Sequence, residues 1–313
     1  MPAVSTTAPP TDHATRRELP SWRQRLRTYL ELVRFSHTVF ALPLATLAAL
    51  VAWQHAPFQW LHLLGFLVCM VAARTAAMAF NRLVDAPLDA ANERTAARHL
   101  PAGLVSRREV LQLTIASGAA FLIGTLLFWP NVWPLLLGPP TLAWLLGYSL
   151  AKRFTPLCHY WLGVALGLSP LATHIAITGH VADLSLWAPA WLGLGIAAWV
   201  GGFDILYACQ DEAFDRASGL RSIPADLGRR RAFWVARVSH ALAALAFALF
   251  GVAAGFGFVY FAGLVLIAGL LAYEHAIVSP NDLSRVGVAF FTLNAVVSFG
   301  LLMLGAIDLA LRA

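Results

Sequence analysis

Lys and Arg fall in every second gap between long apolar runs in this chain, and that alternation dictates how the chain must lie. Nine runs approach the roughly 20 mainly apolar residues needed to cross a bilayer. They span about 32–53, 60–81, 109–129, 132–150, 158–178, 187–209, 232–254, 257–277 and 286–309. The segment through Arg34 carries six Arg, the gap from Arg82 to Arg108 five, Lys152-Arg153 two and Arg216 to Arg231 five. Arg285 sits in the last gap of this series, whereas the gaps near 54–59, 131, 179–185 and 255–257 hold neither Lys nor Arg. Positive residues are retained on the cytoplasmic side. The pattern therefore predicts a cytoplasmic N-terminus, an external C-terminus and nine spans, because a miscount by one would break the alternation.

Composition agrees with an all-α polytopic membrane protein: 59% of residues are hydrophobic and 12% charged, with a mean hydropathy of +0.69. A soluble domain has about twice that share of charge. The net charge of +6 belongs to the Arg-rich gaps, so no nucleic-acid partner is expected. Cys69, Cys158 and Cys209 are scattered through apolar runs without metal-ligand spacing or a disulfide framework. Residues 1–28 read as a polar, disordered cytoplasmic tail without the apolar core of a signal peptide, and 29–313 as a single transmembrane domain.

Two cytoplasmic gaps are long, about 82–108 and 210–231, and both are rich in Asp and Arg. Asn81, Asp85 and Asp89 recur every four residues, which on a helix lines them along one face. Asp204, Tyr207, Asp211 and Asp215 share a second face by the same argument. Carboxylates at the edge of an apolar span are costly without a cation. Mg²⁺ suits such a site, since it takes one or two carboxylates together with substrate phosphate oxygens. Arg94, Arg98, Lys152, Arg153 and Arg221 lie on the correct side to hold a diphosphate. Ion pairs solvated among themselves are the bland alternative; two rows of matched spacing on one membrane face favour function. Arg74, inside a span, needs a partner such as one of the Asp groups, and is equally readable as structural or phosphate-facing. His37 reads as hydrogen-bonded structure. Glu274-His275 and Asn281-Asp282 read as helix-end capping or ion pairing. Pro87, with no backbone N–H, predicts a helix break between Asp85 and Asp89.

At these residues the chain resembles the UbiA superfamily of intramembrane prenyltransferases, over nearly its full length. The Asn-x3-Asp-x3-Asp motif of that family falls on Asn81, Asp85 and Asp89, followed by Arg94-Thr95, Arg98, Leu100-Pro101 and Gly103. Its second acidic motif falls on Tyr207, Asp211 and Asp215, and its Lys on Lys152. Ala86-Pro87 and Glu93 depart from the usual pattern. The resemblance is strongest to the 4-hydroxybenzoate polyprenyltransferase-like branch.

It implies nine transmembrane helices around a central cavity with two Asp-rich cytoplasmic loops. It further implies Mg²⁺-dependent transfer of a polyprenyl group from an allylic polyprenyl diphosphate to a small aromatic acceptor, in the bacterial inner membrane. That acceptor would be 4-hydroxybenzoate in ubiquinone biosynthesis or a dihydroxynaphthoate in menaquinone biosynthesis. Asn81, Asp85, Asp89, Asp211 and Asp215 are the implied metal ligands, and Arg94, Arg98, Lys152 and Arg153 the diphosphate ligands. Asp204 and Tyr207 are the candidates for catalysis. No protein partner is expected beyond membrane lipid. A secondary transporter with a carboxylate relay is the competing class; it calls for acidic groups near the midplane, where this chain has few.

Overall fold

The computed structural model describes residues 22–33 and 38–312. Among these residues the regular structure is all helical, apart from one β-bridge between Ser279 and Asp282. Seven helical segments are long and apolar enough to cross a membrane: Trp60–Ala91, Arg107–Phe128, Cys158–Thr178, Leu184–Ala217, Arg229–Ala253, Phe258–Ile277 and Val286–Ala310. Helices occupy the other two predicted runs as well. Helix α2 (Thr38–Ala52) supplies a shorter apolar stretch, Leu42–Ala52, and α5 (Trp133–Ala151) includes Pro139 and Pro140. Outward-facing Leu64, Leu67 and Val71 on one helix, and Val238, Leu242 and Leu245 on another, are exposed at helical spacing. Lipid contact accounts for such stripes, which water would penalise.

Helix α1 (Trp22–Leu32) begins inside the stretch predicted as a tail. Residues 1–21, Arg34 and His37 lie outside the described residues. Arg25 and the Tyr29 hydroxyl both reach Glu109 Oε1, at 2.8 and 3.2 Å. Glu109 also closes a reciprocal capping box with Ser106 at the start of α4 (Arg107–Gly124). One carboxylate thus starts a span and anchors α1 to it.

Helix α3 (Trp60–Ala91) has 32 residues, about 48 Å at the α-helical rise, against a hydrocarbon core of about 30 Å. Its last turns therefore project beyond the apolar layer, and they carry Asn81, Asp85 and Asp89. Pro87 does not break it, and the first acidic row rides on a helix rather than in a loop. Only four residues follow Pro87, so few hydrogen bonds depend on the turn it weakens. Arg153 supports that turn by donating from Nη2 to the Val84 carbonyl at 3.0 Å.

Helices α6 (Cys158–Thr178) and α7 (Trp187–Ala208) touch backbone to backbone. A Cβ on Gly163 would sit 2.3 Å from the Ala197 carbonyl oxygen, and one on Gly167 2.4 Å from that of Gly193. Small residues allow this approach, which is a main source of helix association in lipid. It presses the start of α6 against the end of α7. Beyond α7 the chain forms a 3₁₀ turn (Cys209–Asp211), α8 (Glu212–Ala217) and α9 (Ile223–Leu227).

The packed core joins α2 and α7 to α10 (Arg229–Ala253), α11 (Phe258–Ile277) and α13 (Asn294–Ala310), around Leu47, Leu192, Trp199, Phe247, Tyr260 and Leu301. The short α12 (Val286–Val288) precedes α13. Glu274 does not cap a helix end: it is 1% exposed, 3.8 Å from His240 Nδ1, and His275 Nε2 lies 3.0 Å from the same nitrogen. Asp282 does make a local turn, accepting from Ser284 N at 2.9 Å.

Candidate active site

The ends of α3, α5 and α7 and the start of α6 converge with α8 and the start of α9 around a cavity of about 250 Å³. Asn81, Asp85 and Asp89 enter from α3, Arg94 and Arg98 from the segment after it, and Lys152 from the end of α5. Asp204 and Tyr207 enter from α7, Asp211 from the 3₁₀ turn and Asp215 from α8. Of the predicted set Arg153 stands outside the wall, and it reaches Asp85 Oδ1 at 3.3 Å. Arg221 also lies outside, paired with Asp226 at 2.7 Å.

Asp85 and Asp89 are only 4% and 5% exposed. A carboxylate buried to that degree must be paired or hydrogen-bonded. Asn81 Nδ2 donates to Asp85 Oδ2 at 2.9 Å, and Lys152 Nζ lies 3.6 Å from the same oxygen. Arg98 Nη1 bonds Asp89 Oδ1 at 2.6 Å, with Arg82 Nη1 3.8 Å from Oδ2. Arg94 grips Asp211 with both prongs, Nε to Oδ1 at 2.9 Å and Nη2 to Oδ2. Asn92 Nδ2 adds a third donor to that carboxylate at 3.1 Å. Burial works against charge on Arg94, but the Asp211 pairing more than offsets it and holds the guanidinium pKa above its ordinary value. Arg94 also donates to the Tyr207 hydroxyl at 3.2 Å and lies over its ring.

Two groups escaped the sequence reading. His159, at the start of α6, lies with Nδ1 2.7 Å from Asp204 Oδ2. Ser222 donates from Oγ to Asp215 Oδ2 at 3.0 Å while capping α9. The Ser-Ile-Pro sequence is a legible N-cap signal; a His beside a Cys at a span start is not a signal of anything.

Below this polar cavity lies a larger apolar one of about 630 Å³, lined by residues such as Phe66, Met70, Phe128, Leu137, Leu145 and Leu166. Tyr148 and Leu162 border both cavities. Arg74 lines the apolar one, its Nε buried without a hydrogen-bond partner. Among the described residues no carboxylate pairs with it, so the Asp partner expected from sequence is not found.

Among the described residues no three His, Cys, Asp or Glu side chains converge as a self-sufficient metal cage. The donor set is nonetheless all oxygen, with one or two carboxylates on each side of the cavity, and buried Asp89 Oδ2 receives no hydrogen bond. Such an incomplete, hard set fits Mg²⁺ completed by substrate phosphate oxygens and water better than it fits a dedicated protein cage.

The fold and this cavity together define an integral membrane protein with a polar cavity lined by carboxylates and the cationic side chains paired with them. The chain belongs to the UbiA prenyltransferase family, whose model matches residues 42–296, which makes it a prenyltransferase. The 4-hydroxybenzoate octaprenyltransferase of Methylobacillus flagellatus is 32% identical over 266 residues, covering 84% of this chain and 87% of that protein. Its counterpart in Paracidovorax citrulli is 34% identical over 241 residues, 74% of this chain and 78% of its own. Among solved structures, an apo UbiA homolog from Aeropyrum pernix K1 superposes with a TM-score of 0.75 at 30% identity, covering 88% of this chain and 98% of that one. A UbiA homolog from Archaeoglobus fulgidus bound to GPP and Mg²⁺ shares the fold at a TM-score of 0.58 and 18% identity, covering 88% and 99%.

Proposed function

We propose that the protein transfers a polyprenyl group from an allylic polyprenyl diphosphate to an aromatic acceptor, most simply 4-hydroxybenzoate, with Mg²⁺ as the metal. The observation that carries this reading is the junction of a polar cavity, ringed by paired carboxylates and cations, with a larger apolar one. A molecule with a charged head and a long isoprenoid tail matches that junction. The relatives named for octaprenyl transfer to 4-hydroxybenzoate support this choice of acceptor over a dihydroxynaphthoate. The carboxylates lie at helix ends, which counts against a midplane ion relay and hence a transporter.

Asn81, Asp85 and Asp89 on one side, with Asp211 and Asp215 on the other, would hold the metal. Mg²⁺ would neutralise the leaving diphosphate as charge develops on it. Lys152, Arg153, Arg94 and Arg98 would turn from the carboxylates they now pair with toward the phosphate oxygens. Asp204 and Tyr207 face the same space and would serve the acceptor, Asp204 by taking the ring proton. All nine predicted runs would span, as one domain over 29–313. The N-terminus would then be cytoplasmic, the C-terminus external and the site open to the cytoplasm, in keeping with the Arg alternation. The deciding experiment offers purified protein a polyprenyl diphosphate and Mg²⁺ with 4-hydroxybenzoate and a dihydroxynaphthoate in competition. Mass spectrometry should find prenylated hydroxybenzoate in excess. Product from the naphthoate alone would reassign the acceptor, and none from either would sink the reading.

A further inference from the structure

His159 is 3% exposed and has both ring nitrogens engaged. The backbone N–H of Ile223 donates to Nε2 at 3.3 Å. A nitrogen that accepts carries its lone pair there, so the proton of the neutral imidazole must sit on Nδ1. Nδ1 faces Asp204 Oδ2 at 2.7 Å, and the direction of that bond is thereby set: the ring donates and the carboxylate accepts. Asp204 keeps a quarter of its side chain exposed and lines the polar cavity.

The donor to His159 is itself well placed. Ile223 opens α9, and its neighbour Ser222 bonds Asp215 through Oγ while accepting the Ala225 N–H at 3.2 Å. The preceding residue, Arg221, donates its backbone N–H to the Lys152 carbonyl at 2.7 Å. Three consecutive residues therefore brace the chain at Lys152, the carboxylate of Asp215 and, through His159, that of Asp204. A buried imidazole with one fixed tautomer is the kind of support that holds a reacting group within catalytic tolerance.

We propose that His159 is a positioning residue: locked as the Nδ1–H tautomer by Ile223, it fixes one oxygen of Asp204 so that the other faces the acceptor ring. This deepens the proposed function and rests on it. As the bond from the allylic carbon to the ring carbon forms, the carbon–oxygen bond to diphosphate breaks and diphosphate departs with its electron pair. The proton on the same ring carbon then passes to the free oxygen of Asp204. The C–H electron pair returns to the ring and restores aromaticity. His159 neither gains nor loses a proton, which distinguishes it from a base.

The test is steady-state kinetics of His159→Leu, His159→Asn and Asp204→Asn in full-length protein, with folding checked by thermal melting. His159→Leu should lower kcat about 100-fold and leave the KM for polyprenyl diphosphate unchanged. His159→Asn retains an N–H near the Nδ1 position and should recover to within about fivefold of wild type. His159→Leu should cost nothing further in an Asp204→Asn background, because both act through one group. Nitrogen NMR of histidine-labelled protein in lipid discs, assigned by the signal lost in His159→Asn, should show a protonated Nδ1 and a bare Nε2. A protonated Nε2, an effect on KM alone, additive losses, or a folded His159→Asn as impaired as His159→Leu would each overturn the proposal. Wild-type protein that prenylates no aromatic acceptor would sink the proposed function instead. The tautomer would then still decide whether His159 positions Asp204.

Discussion

The two acidic rows have the same four-residue spacing in sequence and different scaffolds in space. Asp85 and Asp89 ride on one uninterrupted helix, α3, and are themselves nearly buried. Asp211 ends the 3₁₀ turn that separates α7 from α8, and Asp215 lies within α8. Short 3₁₀ turns inside longer helical runs are common hinge points. The contrast sets a wall carried by an unbroken helix against one divided by a turn. Their cations differ too: Asp85 and Asp89 draw on three separate elements, whereas Asp211 is gripped by Arg94 and Asn92 of a single segment. Spacing alone reveals which residues face together; it does not reveal which scaffold carries them.

If the rows are equal partners in holding a metal and diphosphate, Asp85→Ala and Asp211→Ala should each lower prenylated product by about 1000-fold. Assays on purified protein with saturating Mg²⁺ would measure this, and a disparity of more than about tenfold would break the symmetry. Removing Mg²⁺ with a chelator should abolish product in the wild type and be reversed by adding the ion back.

Arg94→Lys should raise the KM for polyprenyl diphosphate by about tenfold, because a point charge cannot replace the two-pronged grip. Arg98→Lys should cost less, about threefold, since the structure gives it one bond to Asp89. Equal effects would mean that the fork on Asp211 is incidental. The smallest change should come from Pro87→Ala. It restores a backbone donor in a turn that is already helical and should leave activity within about twofold. A large loss there would show that the α3 wall depends on Pro87.

Much of this was legible in the sequence because membranes make simple demands. Apolar runs located the long helices, and the four-residue spacing located both carboxylate rows. Pro87 misled, because a proline one turn from a helix end removes little that the helix needs. The partner of Asp204 was invisible because it lies 45 residues away on α6 and depends on glycines that let two helices touch. Among the described residues Arg74 has no acidic partner, and of the two expectations for Glu274, capping and ion pairing, capping fails while its carboxylate lies 3.8 Å from His240 Nδ1. The partners of Asp204 and Glu274 are long-range contacts, and periodicity carries no record of those.

Tyr148 and Leu162 border both the polar and the apolar cavity, and so mark the boundary between them. A phosphate group that slid past that boundary would exchange Lys152 and Arg98 for Phe128 and Leu145, and an isoprenoid tail moved the other way would meet buried ions. Under the proposed function, one head-to-tail orientation of the diphosphate substrate would be favoured. The search for the reactive pose would then shrink from a tumbling problem to a slide along a single line, and reading the length of the tail would become a matter of where that line ends.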